Sequence, residues 1–266
     1  MRVVMVQMAS SEEPEENRTR LAALEVPPAD LVVLPEAYAA DFGPPGSPLT
    51  QRAEPHDGPF VAALRSRARA HGGTWVAGMF EQGEDPERPF NTLVAVDGAG
   101  LQASYRKVHL YDSFGYRESD RLLAGPRTPT TLEIAGTTVG LMTCYDLRFP
   151  ELARELSRAG TELLVVPSAW VAGPRKLAHW RTLVTARAVE NVSWVAAVGQ
   201  SGPRYTGHSM LVDPRGDVAA AAAGEHDEVV VGDVDLQLLE QAREENPSLL
   251  NRRDAEPWER PAVVTG

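Results

Sequence analysis

Cysteine is almost absent: Cys144 is the only one in 266 residues, which rules out an intramolecular disulfide. The six histidines, His56, His71, His109, His179, His208 and His226, fall at no paired metal-ligand spacing, so neither a metal nor another cofactor is expected. No apolar run is long enough to span a bilayer, and the apolar start at residues 1–7 is too short for a signal peptide. Positive charge is also in deficit. Lys and Arg number 26 against 37 Asp and Glu, a formal net charge of -11, which opposes binding to phosphate backbones and anionic lipid. These shortages predict a cytoplasmic protein with no nucleic-acid or membrane partner.

What is present is a succession of apolar runs alternating with amphipathic ones. Residues 2–8, 31–34, 137–142 and 162–166 read as buried strands, and residues 14–24, 60–70 and 176–190 as helices. Segments 74–80, 91–97 and 101–105 are shorter, partly alternating strands separated by turns, which suits antiparallel pairing. Further strands are expected over 193–199, 207–212 and 228–233, and a short helix over 236–244. Residues 43–59 carry Gly43, Pro44, Pro45, Gly46, Pro48, Pro55, Gly58 and Pro59 and read as a stiff loop; residues 113–131 form a second long loop. No linker-like shift in composition divides the chain. One α/β domain over 1–266 is expected, with 246–266 a tail packing on a partner subunit.

Three reactive groups stand at strand ends. Cys144 lies between the apolar run 137–142 and a helix opened by Pro150, where unpaired N–H groups and the helix dipole are expected to lower a thiol pKa. A lone cysteine more often serves as a small buried hydrophobe, so this turn decides nothing alone. Glu36 follows Leu31-Val32-Val33-Leu34-Pro35, at the carboxyl end of a strand where ligand sites of α/β folds gather. Lys107 closes the strand 101–105 within Tyr105-Arg106-Lys107-Val108-His109. Together they supply a base for the thiol proton, a nucleophile for a carbonyl or nitrile carbon, and a cation that, with the Tyr145 N–H, stabilises the resulting anion. Leu163-Leu164-Val165-Val166-Pro167-Ser168 copies the strand-proline-polar layout before Glu36, which suggests two edges of one site built alike.

These motifs resemble the nitrilase superfamily, the carbon-nitrogen hydrolases, over almost the whole chain. Leu34-Pro35-Glu36, Tyr105-Arg106-Lys107-Val108-His109-Leu110 and Cys144-Tyr145-Asp146-Leu147-Arg148-Phe149-Pro150-Glu151 are similar to its glutamate, lysine and cysteine motifs, and 179–180, 186–191 and 207–210 resemble later family segments. The resemblance implies a single-domain four-layer α-β-β-α sandwich. It implies Glu36 as general base, Lys107 as oxyanion cation, Cys144 as the residue that forms a thioester, and Glu118 as a supporting second glutamate. It also implies a homodimer. The cysteine motif is similar to the amidase branch that includes omega-amidases and deaminated glutathione amidase, which implies a small carboxylate-bearing amide and water as reactants. Arg148, Arg175, Lys176 and Arg204 are then candidate cations for the carboxylate, with Tyr38, Tyr145 and Trp170 as pocket walls. For Asp146 and Arg148 the commoner use is a structural ion pair.

Other readings stay open at this level. An N-carbamoyl amino acid amidohydrolase or a nitrilase would keep the fold and change the substrate. A Cys-His hydrolase would use His109, His179 or His208 as the base. A serine hydrolase at Gly207-His208-Ser209-Met210-Leu211 lacks the glycine its nucleophile elbow needs where Leu211 stands. A catalytically silent scaffold is the alternative outside enzymes.

Overall fold

The alternation of side chains in the first strands decides the layering. In β1 (Arg2–Gln7), Val3 and Met5 enter one core while Val4 and Val6 enter another. Leu31 and Val33 separate in the same way from Val32 in β2 (Leu31–Val33), Val76 from Trp75, Ala77 and Met79 in β3 (Thr74–Glu81), and Leu93 and Ala95 from Val94 and Val96 in β4 (Phe90–Val96). Successive strand residues point to opposite faces, so a sheet apolar at every position must be covered on both. Helices α1 (Pro14–Ala23) and α2 (Pro59–His71) cover one face with Leu21, Phe60, Leu64 and Ala68. A second sheet covers the other.

The computed structural model describes residues 1–253. The first sheet adds β5 (Leu101–Arg106) and β14 (Glu228–Asp233) and runs β14-β1-β2-β3-β4-β5. The second contains β8 (Thr131–Ile134), β9 (Thr137–Leu141), β10 (Leu163–Ser168), β11 (Trp194–Gly199), β12 (Met210–Val212) and β13 (Val218–Ala221), in the order β13-β12-β11-β10-β9-β8. Each has a parallel centre, β1-β2-β3 and β9-β10-β11, with antiparallel strands added outside. Helices α3 (Pro150–Arg158) and α4 (Lys176–Asn191) put Leu152, Leu156, Trp180 and Val184 against the second sheet. The result is the expected α-β-β-α sandwich. A further helix, α5 (Leu236–Glu245), follows β14 and is capped by the Asp235 side chain, which accepts the Gln237 N–H.

Several local expectations are corrected. The loop expected over 113–131 contains a small hairpin, β6 (Asp112–Ser113) and β7 (Tyr116–Arg117), and a 3-10 turn at Glu118–Asp120. Its turn residues Phe114 and Gly115 both have positive φ, 55° and 79°, the geometry of a tight two-residue hairpin. Strand β13 is alanine-rich and mostly exposed, so it carries no alternation to read. Arg187 on α4 is buried, with Nη1 on Glu190 at 2.6 Å and Nη2 on the Leu147 carbonyl at 2.5 Å, bracing the segment after Cys144. Of the expected tail, 246–253 holds a 3-10 turn at Pro247–Leu249; its remainder, 254–266, lies outside the described residues.

Candidate active site

Parallel strands leave their carboxyl ends along one edge, and the site is built from the segments that follow those ends. After β2 the chain turns sharply, with Ala37 at φ 53°. This turn passes directly over Gly78 of β3, where a Cβ would lie 2.4 Å from the Ala37 nitrogen and 2.7 Å from the Glu36 Cα. Glycine is required there by the approach of one backbone to another. Lys107 follows β5 at once, its N–H donating to the Asn91 carbonyl at 2.8 Å. Cys144 opens a 3-10 turn, Cys144–Arg148, at φ 45°. A non-glycine residue held there is strained, and such strain gathers at functional positions.

These segments bring four side chains into one cluster. The Lys107 ammonium donates to Glu36 Oε1 at 2.9 Å and to Glu118 Oε1 and Oε2 at 3.1 and 2.9 Å. Lys107, Glu36 and Glu118 are each at most 2% exposed. The Cys144 thiol lines the same cavity and feels the Glu36 carboxylate. Further donors fix the two acids. Glu36 Oε2 accepts the Ala169 N–H at 2.6 Å, just beyond β10, so the two strands with like sequences do border one site. Asn91 Nδ2 donates to Glu36 Oε1 at 2.7 Å and Glu118 Oε1 at 3.3 Å, and the Tyr111 N–H donates to Glu118 Oε2 at 2.5 Å. Gln200 Nε2 reaches the Glu36 carbonyl at 2.9 Å. Asn91 and Gln200 escaped the sequence reading because each is one amide at the end of an ordinary strand.

Two carboxylates, one ammonium and a thiol away from water set one another's protonation. Burial alone would lower the Lys107 pKa, but Glu118 and then Glu36 outweigh it and hold the ammonium well above its ordinary value. Burial pushes the Glu118 carboxyl up; Lys107 opposes this and Glu36 adds to it. For Cys144, burial and then the Glu36 carboxylate push the thiol well above its ordinary pKa, with only Lys107 among the main influences pulling it down. The expectation of a thiol acidified by a helix start is thus corrected. The turn is one short 3-10 segment, and burial, then the neighbouring carboxylate, set the direction of the shift. The resting cysteine holds its proton, with an acceptor carboxylate beside it.

Glu36, Lys107, Glu118 and Cys144 line the floor of a cavity of about 860 Å³. Phe42, Tyr111, Phe114, Tyr116, Trp170 and Tyr205 make its walls aromatic, and Lys176 and Arg204 reach it as cations. Trp170 thus stands in the cavity lining. Tyr38 does not: the turn at Ala37 sends it to the outer core, where it is 1% exposed and packs on Phe60 with centroids 6.2 Å apart. The Tyr145 ring stands outside the lining, edge-on to Tyr111 at 5.0 Å, and so backs a wall it was expected to form. Arg148 is also outside the lining, its guanidinium 5.1 Å from the Trp170 ring and 5.9 Å from those of Phe114 and Tyr145. Arg175 is exposed at the start of α4, at φ 62°. Nor do Arg148 and Asp146 pair. Arg148 meets His179 at 3.4 Å, while Asp146 turns inward to Tyr105, His109 and Thr143. Arg204 is occupied by Asp41 at 2.6 Å, whereas Lys176 donates to the Tyr111 hydroxyl at 2.8 Å and lies 4.0 Å over the Phe114 ring. Among the described residues, neither Lys176 nor Arg148 forms an ion pair with a carboxylate.

An α-β-β-α sandwich with a buried cysteine, two glutamates and a lysine at its strand ends defines a hydrolase that works through a thiol. Residues 2–244 match the model of the carbon-nitrogen hydrolases, and the chain belongs to that family. It is similar to a deaminated glutathione amidase of Escherichia coli O157:H7, 40% identical over 85% of this chain and 86% of that one. The rat deaminated glutathione amidase is 36% identical over 85% of this chain and 72% of its own. Saccharomyces cerevisiae Nit3, described as a member of branch 10 of the nitrilase superfamily, superposes with a TM-score of 0.84 at 29% identity, covering 96% and 97% of the two chains. A mutant of the amidase from Nesterenkonia sp. AN1, carrying the acetamide moiety of fluoroacetamide on its active-site cysteine, superposes with a TM-score of 0.78 at 28% identity over 96% and 94%. The protein is a cysteine-dependent hydrolase of carbon–nitrogen bonds, of the amidase kind. Among the described residues no helix is long and apolar enough to cross a membrane.

Proposed function

We propose that the protein cleaves a small amide bearing a carboxylate to the free acid and ammonia, in one domain that works as a cytoplasmic homodimer. The observation that carries the mechanism is the Glu36 carboxylate, hydrogen-bonded to the Lys107 ammonium and lining the same cavity floor as the Cys144 thiol, whose proton it influences. Glu36 takes the thiol proton as sulfur attacks the amide carbon. The Lys107 ammonium and the Tyr145 N–H stabilise the tetrahedral oxyanion. Glu36 then returns the proton to the leaving nitrogen, ammonia departs and a thioester remains. Water, deprotonated by Glu36, attacks the thioester; the acid leaves and the thiol recovers its proton. Glu118, hydrogen-bonded to Lys107 and Asn91, holds the ammonium in place.

The substrate class is supported by the cations. Lys176 projects into the cavity without a carboxylate partner, its pKa lowered by burial and by the neighbouring Arg148, and Arg148 lies behind the aromatic wall. Two cations so placed favour an anionic group at the far end of the substrate. The cavity has room for an acyl chain of peptide-like length, in keeping with relatives named deaminated glutathione amidase. None of His109, His179 and His208 lines the cavity, which speaks against a histidine base.

The test is ammonia release from short dicarboxylic acid monoamides, peptide-like ω-amides, N-carbamoyl amino acids and nitriles. The carboxylate-bearing amides are expected to turn over fastest, and Lys176→Met to raise their KM about tenfold or more, the worth of one charged hydrogen bond. Faster release of carbon dioxide with ammonia from N-carbamoyl amino acids would overturn the proposal in favour of a carbamoylase.

A further inference from the structure

Of the buried charges the mechanism does not use, one stands beside the reacting groups. Asp146 is 0% exposed, two residues beyond Cys144. Its Oδ2 accepts the Tyr105 hydroxyl at 2.7 Å and the Thr143 N–H at 3.0 Å; its Oδ1 accepts the His109 N–H at 3.0 Å and meets His109 Nδ1 at 2.7 Å. Tyr105 and His109 flank Lys107 by two residues on either side, and Thr143 precedes Cys144. One carboxylate thereby binds both sides of the lysine segment to the start of the cysteine turn. The two segments come from different sheets, β5 and β9. His109 is further clamped by stacking on Phe149, with centroids 3.7 Å apart and planes within 6°.

We infer that Asp146 is a positioning residue, a staple that sets the distance between the Lys107 ammonium and the Cys144 sulfur across the two sheets. A buried carboxylate is costly unless its acceptor capacity is filled. Here every donor that fills it comes from the two segments that carry the reacting groups. A charge placed only for stability has no need to join those two. Asp146 itself touches neither the thiol nor the ammonium, so its effect on them runs through the backbone of residues 105–109 and 143–146. This inference rests on the roles assigned above to Lys107 and Cys144.

The measurement is the rate of Cys144 alkylation by iodoacetamide against pH, followed by mass spectrometry on the full-length protein, with thermal melting alongside. Moving the ammonium away from the sulfur weakens the main cationic pull toward thiolate. Asp146→Asn is expected to slow alkylation about tenfold at neutral pH, the equivalent of one pKa unit, and to move the whole profile to higher pH. Tyr105→Phe, which removes a single donor and keeps the shape, is expected to shift the profile in the same direction by less, and it decides the question if Asp146→Asn does not fold. In a Lys107→Met background neither substitution is expected to shift the profile further. A lowered melting temperature with an unmoved alkylation profile, or an equal shift in the absence of Lys107, would overturn the staple. A profile that Lys107→Met alone leaves unmoved would instead overturn the assignment of Lys107, which separates the two failures.

Discussion

A thiol whose proton is held by burial and by an adjacent carboxylate is a poor nucleophile until that carboxylate takes the proton. Cys144→Ala and Glu36→Gln are therefore expected to lower kcat for ammonia release by at least about 10²-fold without loss of fold. Lys107→Met is expected to do the same by removing the proposed oxyanion cation, and near-normal kcat in that variant would end its assigned role. Asn91 fixes both acids through one amide, so Asn91→Ala is expected to lower kcat about tenfold, roughly the worth of one lost buried hydrogen bond, with KM within a factor of two. Of these four groups, Cys144, Glu36 and Lys107 are legible in the sequence as chemically distinctive residues at strand ends. Asn91 is not, because an amide earns its meaning only from the two carboxylates that the fold brings to it.

At the scale of elements, β3 does two tasks for the site. Its Gly78 allows the turn that carries Glu36 to pass over it, and adding a methyl there forces two backbones apart. Gly78→Ala is expected to cost at least about 2 kcal/mol in urea unfolding and to lower activity per folded molecule. Its last residue, Glu81, is 4% exposed and accepts both Arg106 Nε at 2.9 Å and Nη2 at 2.6 Å, tying β3 to the strand that ends beside Lys107. Burial works against the ionised carboxylate, but the bonds from Arg106, His56 and Thr92 prevail and bring its pKa down to about 2. A carboxylate with a depressed folded-state pKa stabilises above its unfolded value and loses that contribution as pH falls through the folded one. Glu81→Gln is thus expected to destabilise the protein by about 1–2 kcal/mol at pH 7, a figure discounted because Arg106 is half-buried and screened by water. The gap should narrow below about pH 4.5 and close near pH 2, as read from urea unfolding across that range. A gap independent of pH would mean that packing, rather than charge, is responsible.

For the whole molecule, one core runs between the two sheets and on to the helices outside the second, a separate core lies between the first sheet and its helices, and Trp180, fully buried on α4, donates Nε1 to the His208 carbonyl at 2.8 Å. Trp180→Ala is expected to cost about 3–5 kcal/mol by opening a cavity in that core. The proposed homodimer is expected in sedimentation equilibrium at twice the 28.8 kDa chain mass, and a single species at the chain mass would remove it. The sequence by itself determined the apolar strands, the outer helices, the order of the motifs and the three reactive residue types at strand ends, because these follow from periodicity and chemistry local to each segment. Only the tertiary structure decided that Tyr38 faces away from the cavity, that Lys176 rather than Arg148 reaches it, that Asp146 joins two sheets, and that the thiol is held protonated. Those outcomes depend on which way a turn points a side chain and on charges brought together from segments as far apart as Glu36 and Cys144, and neither quantity is written in the pattern around a single residue.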